Sequence, residues 1–194
     1  MTRLTRLATA LAALAAVSAP ACGQAAGGDS LAHRQVAIEG TVDASAAYAG
    51  GTIFVTTTFG KTIAIDAASG NIRWTYTPPN YSDWAGSYRI TNSTPVVDPS
   101  GRFVYAAAPD GQVRELDASS GRELWSTAIT RLPAREKIAS PLTYFHGRII
   151  AVTGGYIGDA PPYQGHVAIL DASNGHLISV WNSLCSDRSG LIEP

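Results

Sequence analysis

Three aspartates recur at near-constant intervals: Asp66, Asp117 and Asp171, separated by 51 (66 to 117) and 54 (117 to 171) residues. Each follows an apolar residue and stands four positions ahead of a glycine, Gly70, Gly121 or Gly175. The chemistry of that spacing is local. A carboxylate so placed accepts hydrogen bonds from the backbone N–H groups just ahead of it, closing an Asx-type turn. The three aspartates therefore read as turn builders, and none is paired with another as an acid–base couple. His33, His146, His166 and His176 are scattered, three of them beside turn glycines, and read as exposed to solvent. Cys22 and Cys185 form neither a C-x-x-C nor a vicinal pair, which argues against thiol redox chemistry and zinc. No G-x-S-x-G, H-E-x-x-H or phosphate-cradling glycine loop is present. One irregular loop gathers Tyr156, Asp159, Tyr163 and His166, the best candidates for a ligand site, since loops held on a rigid scaffold carry function.

The elements that would position these residues repeat with the aspartates. Each repeat reads as four short strands joined by turns, with a tryptophan (Trp74, Trp125) four residues after the turn glycine, on the returning strand. A large aromatic there can lock one repeat to the next. Opening strands are expected at 41–48, 90–97 and 137–144, second strands at 52–58, 102–108 and 148–154. Third strands follow at 61–66, 112–117 and 166–171, fourth strands at 71–76, 122–129 and 176–181. Four strands per fifty residues is the composition of a β-propeller blade. The expectation is an all-β propeller with four-stranded antiparallel blades. Three blades, at about 36–80, 88–130 and 135–182, form part of a ring. The loop 78–89 carries Tyr81, Trp84 and Tyr88, residues suited to binding a flat ligand or glycan, or to capping the propeller end.

The A-x-D-x-x-x-G-x-x-x-W run from Ala64 through Asp66 and Gly70 to Trp74 resembles the tryptophan-docking repeat of the pyrroloquinoline-quinone-type (PQQ-like) β-propellers. The second copy keeps Asp117, Gly121 and Trp125 but has Glu115 at the alanine position. The third has Ile169 there and Ser179 in place of Trp, with Trp181 two residues on and so on the same strand face. The resemblance spans about 36–182. It implies the propeller fold, and with it two functional classes. The first is a non-catalytic binding or scaffold module, similar to the lipoprotein of the outer-membrane barrel-assembly machinery or to propeller sensor domains, with no cofactor. The second is the N-terminal part of a quinoprotein dehydrogenase, which would carry PQQ and calcium in its channel and an Asp base. Many such enzymes also have a vicinal disulfide, and this sequence has no adjacent cysteines and no Asp/Glu/Asn cluster assignable to calcium. The first class is preferred.

The bulk composition agrees. A 194-residue chain with 45% hydrophobic and 15% charged residues fits one globular domain, and a formal charge of −1 without a basic patch argues against nucleic acid as a partner. Residues 1–21 read as a signal peptide: Arg3 and Arg6, an apolar run from Leu7 to Val17, and an Ala19-Pro20-Ala21 exit. Export to the periplasm or beyond follows. Cleavage there leaves Cys22 first and offers a lipid anchor, although Ala19 and Pro20 depart from the usual lipoprotein pattern. Residues 22–35 read as a flexible linker and 183–194 as a connection to a further blade, with Cys185 expected to bond a cysteine beyond Pro194. Ring closure by a second copy of the chain is the alternative. The sequence identifies neither the envelope partner nor a small-molecule ligand.

Overall fold

The computed structural model describes residues 35–156 and 165–183. Its strands are β1 (Ala47–Ala49), β2 (Thr52–Thr56), β3 (Thr62–Asp66) and β4 (Ile72–Tyr76), then β5 (Val96–Val97), β6 (Phe103–Ala107), β7 (Gln112–Asp117) and β8 (Glu123–Ala128). There follow β9 (Glu136–Ile138), β10 (Thr143–Phe145), β11 (Arg148–Gly155), β12 (His166–Asp171) and β13 (Leu177–Asn182). They make three antiparallel sheets in the order β1-β2-β3-β4, β5-β6-β7-β8 and β10-β11-β12-β13. The sheets do not close into a ring. The one helical turn among the described residues is a 3-10 turn at Tyr81–Asp83.

Every sheet carries the same irregularity. The register between its third and fourth strands shifts just beyond Ala64↔Trp74, Glu115↔Trp125 and Ile169↔Ser179. A bulge adds a residue to the outer strand and sharpens its twist. In the first two sheets it turns the tryptophan at that position onto the following sheet.

The core lies in the seams between sheets. Phe54 and Ala64 of the first sheet meet Val104 and Leu116 of the second, with Trp74 and Tyr76 at the margin. Between the second and third sheets, Tyr105, Val113 and Ile129 meet Ile149, Ala151, Ala168 and Leu170. The opposite face of the first sheet (Val55, Ile63, Ile65) is covered by Val36, Ile38 and Val42 from the chain's own leading segment.

The opening strands are much shorter than the sequence pattern suggests, shrinking to β1, β5 and β10. Residues 41–46, 90–95 and 139–142 make irregular backbone bonds instead, within the repeat at Thr41 and between repeats at Thr91 and Leu142. Thr58 donates to the Thr41 carbonyl at 2.8 Å, Thr91 to Thr58 at 2.7 Å and Leu142 to Thr94 at 3.1 Å. Pro95 and Pro141, which have no N–H to give a ladder, sit in this inner layer. The segment 136–138 goes elsewhere again: β9 pairs with the far half of β11.

Candidate functional site at the loop end

Antiparallel order sends the aspartate turns to one end of the sheets and the connections 57–61, 77–95, 108–111 and 129–135 to the other. The aspartate end behaves as the sequence implies. Asp117 Oδ1 accepts from the backbone N–H groups of Ser119 (3.0 Å) and Ser120 (2.9 Å) and from both serine hydroxyls. The Ser119 and Ser120 hydroxyl bonds, with their amides, hold its carboxyl down at about 2. Asp66 is depressed further, chiefly by the Arg73 guanidinium 2.6 Å away. Asp171 repeats the pattern with Ser173. Each seam opens a groove at this end, of about 380 Å³ beside Tyr105 and Glu115 and about 350 Å³ beside Phe54 and Arg73.

The tryptophans complete the unit. Trp74 Nε1 donates to the Ala118 carbonyl at 3.0 Å and Trp125 Nε1 to Ala172 at 3.2 Å, the residue after each following repeat's aspartate. Their rings lie on Gly121 and Gly175, where an added Cβ would come within 2.6 Å and 2.5 Å of a ring carbon. Each turn thus binds its own backbone through the aspartate and the preceding sheet's indole through its carbonyl and glycine.

At the loop end, two of the four expected ligand residues, Tyr156 and His166, are among the described residues. Tyr156 follows directly on β11, with its hydroxyl 3.4 Å from the Pro109 carbonyl and its ring edge-on to Tyr88 at 5.7 Å. Burial pushes its phenol up to about 12. His166 is 1% exposed, which corrects the reading of it as a solvent-facing turn residue. As the first residue of β12 it shares the alternation of Ala168 and Leu170, so its ring enters the seam and its Nε2 meets the Ile129 carbonyl. His146 and His176 are exposed as expected. Asp159 and Tyr163, like Cys22, Cys185 and His33, lie outside the described residues.

In the aromatic loop Trp84 turns inward, while Tyr88 stays exposed. Trp84 is 2% exposed, donates from Nε1 to the Phe59 carbonyl at 2.9 Å, and meets Tyr81 edge-on at 6.2 Å. Arg89 stacks 5.7 Å from the Trp84 ring and donates to the Pro109 carbonyl at 2.9 Å, tying this loop to the second sheet. Lys61 sits over Tyr81 at 4.9 Å and pairs with Glu39 at 2.5 Å. A cavity of about 340 Å³ remains, walled by Trp84, Arg89, Asp110, Arg114, Ser126 and Pro133.

Arg114 and Glu136, buried charges at this end, were missed from the sequence. Arg114, on the central strand β7, holds Asp110 with both terminal nitrogens and places Nε 3.4 Å from Glu123, which accepts from the Tyr76 hydroxyl of the first sheet. Glu136 is fully buried, and neither carboxylate oxygen makes a hydrogen bond of ordinary geometry. Burial pushes it up to about 7, against the pull of the Leu132 and Arg131 amides and the Arg131 charge. The signal for Glu136 was its place two residues before Ile138, on the inward phase of a short strand. An acid raised in the folded state stabilises fully below its unfolded pKa, near 4.5, and loses that contribution as pH rises to about 7. Melting temperature should therefore fall between those pH values, and Glu136→Gln should remove that part of the decline. Parallel pH profiles of the two proteins would count against burial of the charge.

Blades locked tryptophan-to-turn define a section of a β-propeller of the docking type. A family model described as "Outer membrane protein assembly factor BamB" matches residues 14–187, and the chain belongs to that PQQ-like family. Among curated proteins it is similar to the quinohemoprotein alcohol dehydrogenase ADH IIB of Pseudomonas putida (28% identity over 136 residues, 70% of this chain, 19% of that protein). The quinohemoprotein alcohol dehydrogenase of Comamonas testosteroni is 28% identical over 155 residues, 78% of this chain and 21% of that protein. The crystal structure of that Comamonas enzyme shares the fold, with a TM-score of 0.61 at 24% identity over 75% of this chain and 21% of that one. A europium-containing methanol dehydrogenase does so with a TM-score of 0.57 at 22% identity, over 71% and 24% of the two chains. The chain spans about a fifth of the length of these two curated relatives.

The described residues do not fit PQQ, a flat, multiply anionic quinone. The cations of the loop end are engaged: Lys61 with Glu39, Arg89 with Pro109 and Trp84, Arg114 with Asp110 and Glu123. Glu136 adds a buried acid to the same end. Among the described residues, no three His, Cys, Asp or Glu side chains are grouped to hold a metal ion.

Proposed function

We propose that the chain is a three-blade section of an exported PQQ-like propeller that serves as a non-catalytic binding or scaffold module of the cell envelope. The observation that supports it is the use made of the loop-end side chains. A ligand platform presents its aromatic and cationic groups, whereas here Trp84, Arg89 and Lys61 clamp the first sheet to its neighbours. Export rests on the charged, apolar and small-residue order of Arg3 to Ala21. The second reading, a section of a quinone-dependent alcohol dehydrogenase, draws on the names of the curated relatives.

Reconstitution separates the two. The protein is titrated with PQQ and calcium, followed by tryptophan fluorescence, then supplied with a primary alcohol and a reducible dye. The expected result is neither saturable quenching nor dye reduction. Turnover that requires both additions, or saturable quenching at micromolar quinone, overturns the scaffold reading.

A further inference from the structure

The two grooves at the aspartate end are built by the same strands of successive repeats, yet their chemistry differs. Register fixes the equivalences. Thr52↔Asp66 and Phe54↔Ala64 in the first sheet correspond to Phe103↔Asp117 and Tyr105↔Glu115 in the second. Ala47↔Phe54 corresponds to Val96↔Tyr105, so Ala49 and Asp98 match as well. The first sheet thus has Ala49, Thr52, Phe54 and Ala64 where the second has Asp98, Phe103, Tyr105 and Glu115. One further exchange accompanies these. Arg73, just ahead of Trp74, lines the first groove, with Nη1 2.8 Å from Thr52 Oγ1 and Nη2 2.6 Å from Asp66. Leu124 holds that place ahead of Trp125. The first groove therefore carries a guanidinium of its own sheet, whereas the second has no arginine at that place and two more acids.

Glu115 is the centre of the difference. It is 4% exposed, and it lines the groove of about 380 Å³. Its Oε1 lies 3.2 Å from the Tyr105 hydroxyl, whose single hydrogen is shared with the Ala172 carbonyl, also at 3.2 Å. Its Oε2 accepts no hydrogen bond of ordinary geometry. Burial pushes the carboxyl up against the pull of the Tyr105 hydroxyl, and the Asp98 charge adds to the rise. A buried acid so poorly supplied with donors is costly until one reaches it. The other charges around the groove are engaged. Asp98 accepts from the amides of Ser100, Arg102 and Phe103, and Asp171 from Ser173, with Arg148 at 3.7 Å. Arg102 rests over the Phe103 ring at 5.2 Å, so an aromatic of this wall already carries a guanidinium. The Tyr105 and Tyr144 rings, 6.0 Å apart, extend that wall. Among the described residues the acids are not grouped in threes to hold a metal ion, and one carboxylate beside aromatic rings suits an organic cation.

We propose that the groove between the second and third sheets binds a guanidinium group, with its N–H donors on Glu115 Oε2 and its plane and alkyl stem against the Phe103, Tyr105 and Tyr144 side chains. A guanidinium offers a carboxylate a planar fork of N–H donors and keeps a face free for stacking, which an ammonium does not. The group comes from a small alkylguanidinium or from the arginine side chain of a peptide, and the recognition chemistry is the same. The volume lies in the range of small-ligand sites. The site is at the opposite end of the sheets from the loop-end residues. Quinone-dependent turnover would end the scaffold reading and leave this site standing, so the two can fail separately.

Titration of the isotopically labelled protein, followed by amide nuclear magnetic resonance, tests the site. The probe is n-butylguanidinium, and n-butylurea is its uncharged match in shape. The expected result is saturable shifts centred on the amides around Glu115 and Ala172, with a dissociation constant of about 0.1–10 mM for a ligand of under about ten heavy atoms. The urea should produce none. Glu115→Gln keeps the shape and removes the charge, and should weaken binding at least about tenfold. Glu115→Ala should do the same, and the buried Ala64 shows that the fold accepts alanine at this position. An equal response to the urea, shifts centred on the first groove, no saturable shift, or unaltered affinity in both variants overturns the inference. An end-blocked Gly-Arg-Gly peptide separates the two sources. Binding at least as tight as that of n-butylguanidinium assigns the site to an arginine side chain, and weaker binding assigns it to a small ligand; either supports the site.

Discussion

Replacing Trp125 with alanine is expected to destabilise the protein by about 3–5 kcal/mol, the usual cost of truncating a large packed aromatic. The side chain is half-buried, and its contribution comes from three sources. Its ring packs at 5.9 Å from Tyr105 in the seam between the second and third sheets. Its indole N–H satisfies the Ala172 carbonyl at 3.2 Å. Its ring also covers the Gly175 turn. Truncation opens the seam and leaves that carbonyl without the donor. Trp74→Ala should behave alike through Phe54, Ala118 and Gly121. Trp181→Ala supplies the contrast in the 194-residue chain: an exposed side chain changes stability by no more than about 0.5 kcal/mol. Equal denaturation midpoints for the wild type and Trp125→Ala would remove the docking account, and a large loss at Trp181 would show that its face is covered within this chain.

The repeat turn was the most legible part of the sequence because it is a local object. Asp117 bonds to Ser119 and Ser120 within its own turn, so five residues suffice to specify it. The docking tryptophans were legible by their fixed distance from that turn, and the turned-out Trp181 by strand parity. The inner strands were not, because alternation of apolar and polar residues shows that a segment is extended and says nothing about its partner. Residues 41–46 and 90–95 lie outside the strands, and the Ser45 and Thr91 amides bond to the neighbouring repeat. His166 was misjudged for a related reason: its neighbour Gly165 suggested a turn, while the sheet-wide alternation places it inside. The loop 78–89 shows the limit for sites. Its composition admits binding or capping, and only the tertiary contacts of Trp84 with Phe59 and of Arg89 with Pro109 decide for capping.

Gly121→Ala should be costly, and its cost should depend on Trp74. The backbone at Gly121 has φ of +73°, a left-handed conformation worth about 1–2 kcal/mol against an L-residue. The new Cβ would also stand 2.6 Å and 2.7 Å from two Trp74 ring carbons. That ring has little room to retreat, being held by its bond to Ala118 and packed 5.9 Å from Phe54. Overpacking of this kind adds about 1–3 kcal/mol. Gly147→Ala is the control, since Gly147 has φ of +76° and nothing within 4 Å of the added Cβ. It should show the backbone cost alone. In a Trp74→Ala background the clash is gone, and Gly121→Ala should fall to the level of the control. The double variant should thus be more stable than the sum of its singles implies by about 1–3 kcal/mol, the range of coupling expected for residues in direct contact. Strict additivity would mean that the indole does not rest on this glycine, and the interlock that joins each blade to the next would have to be sought elsewhere in the seam.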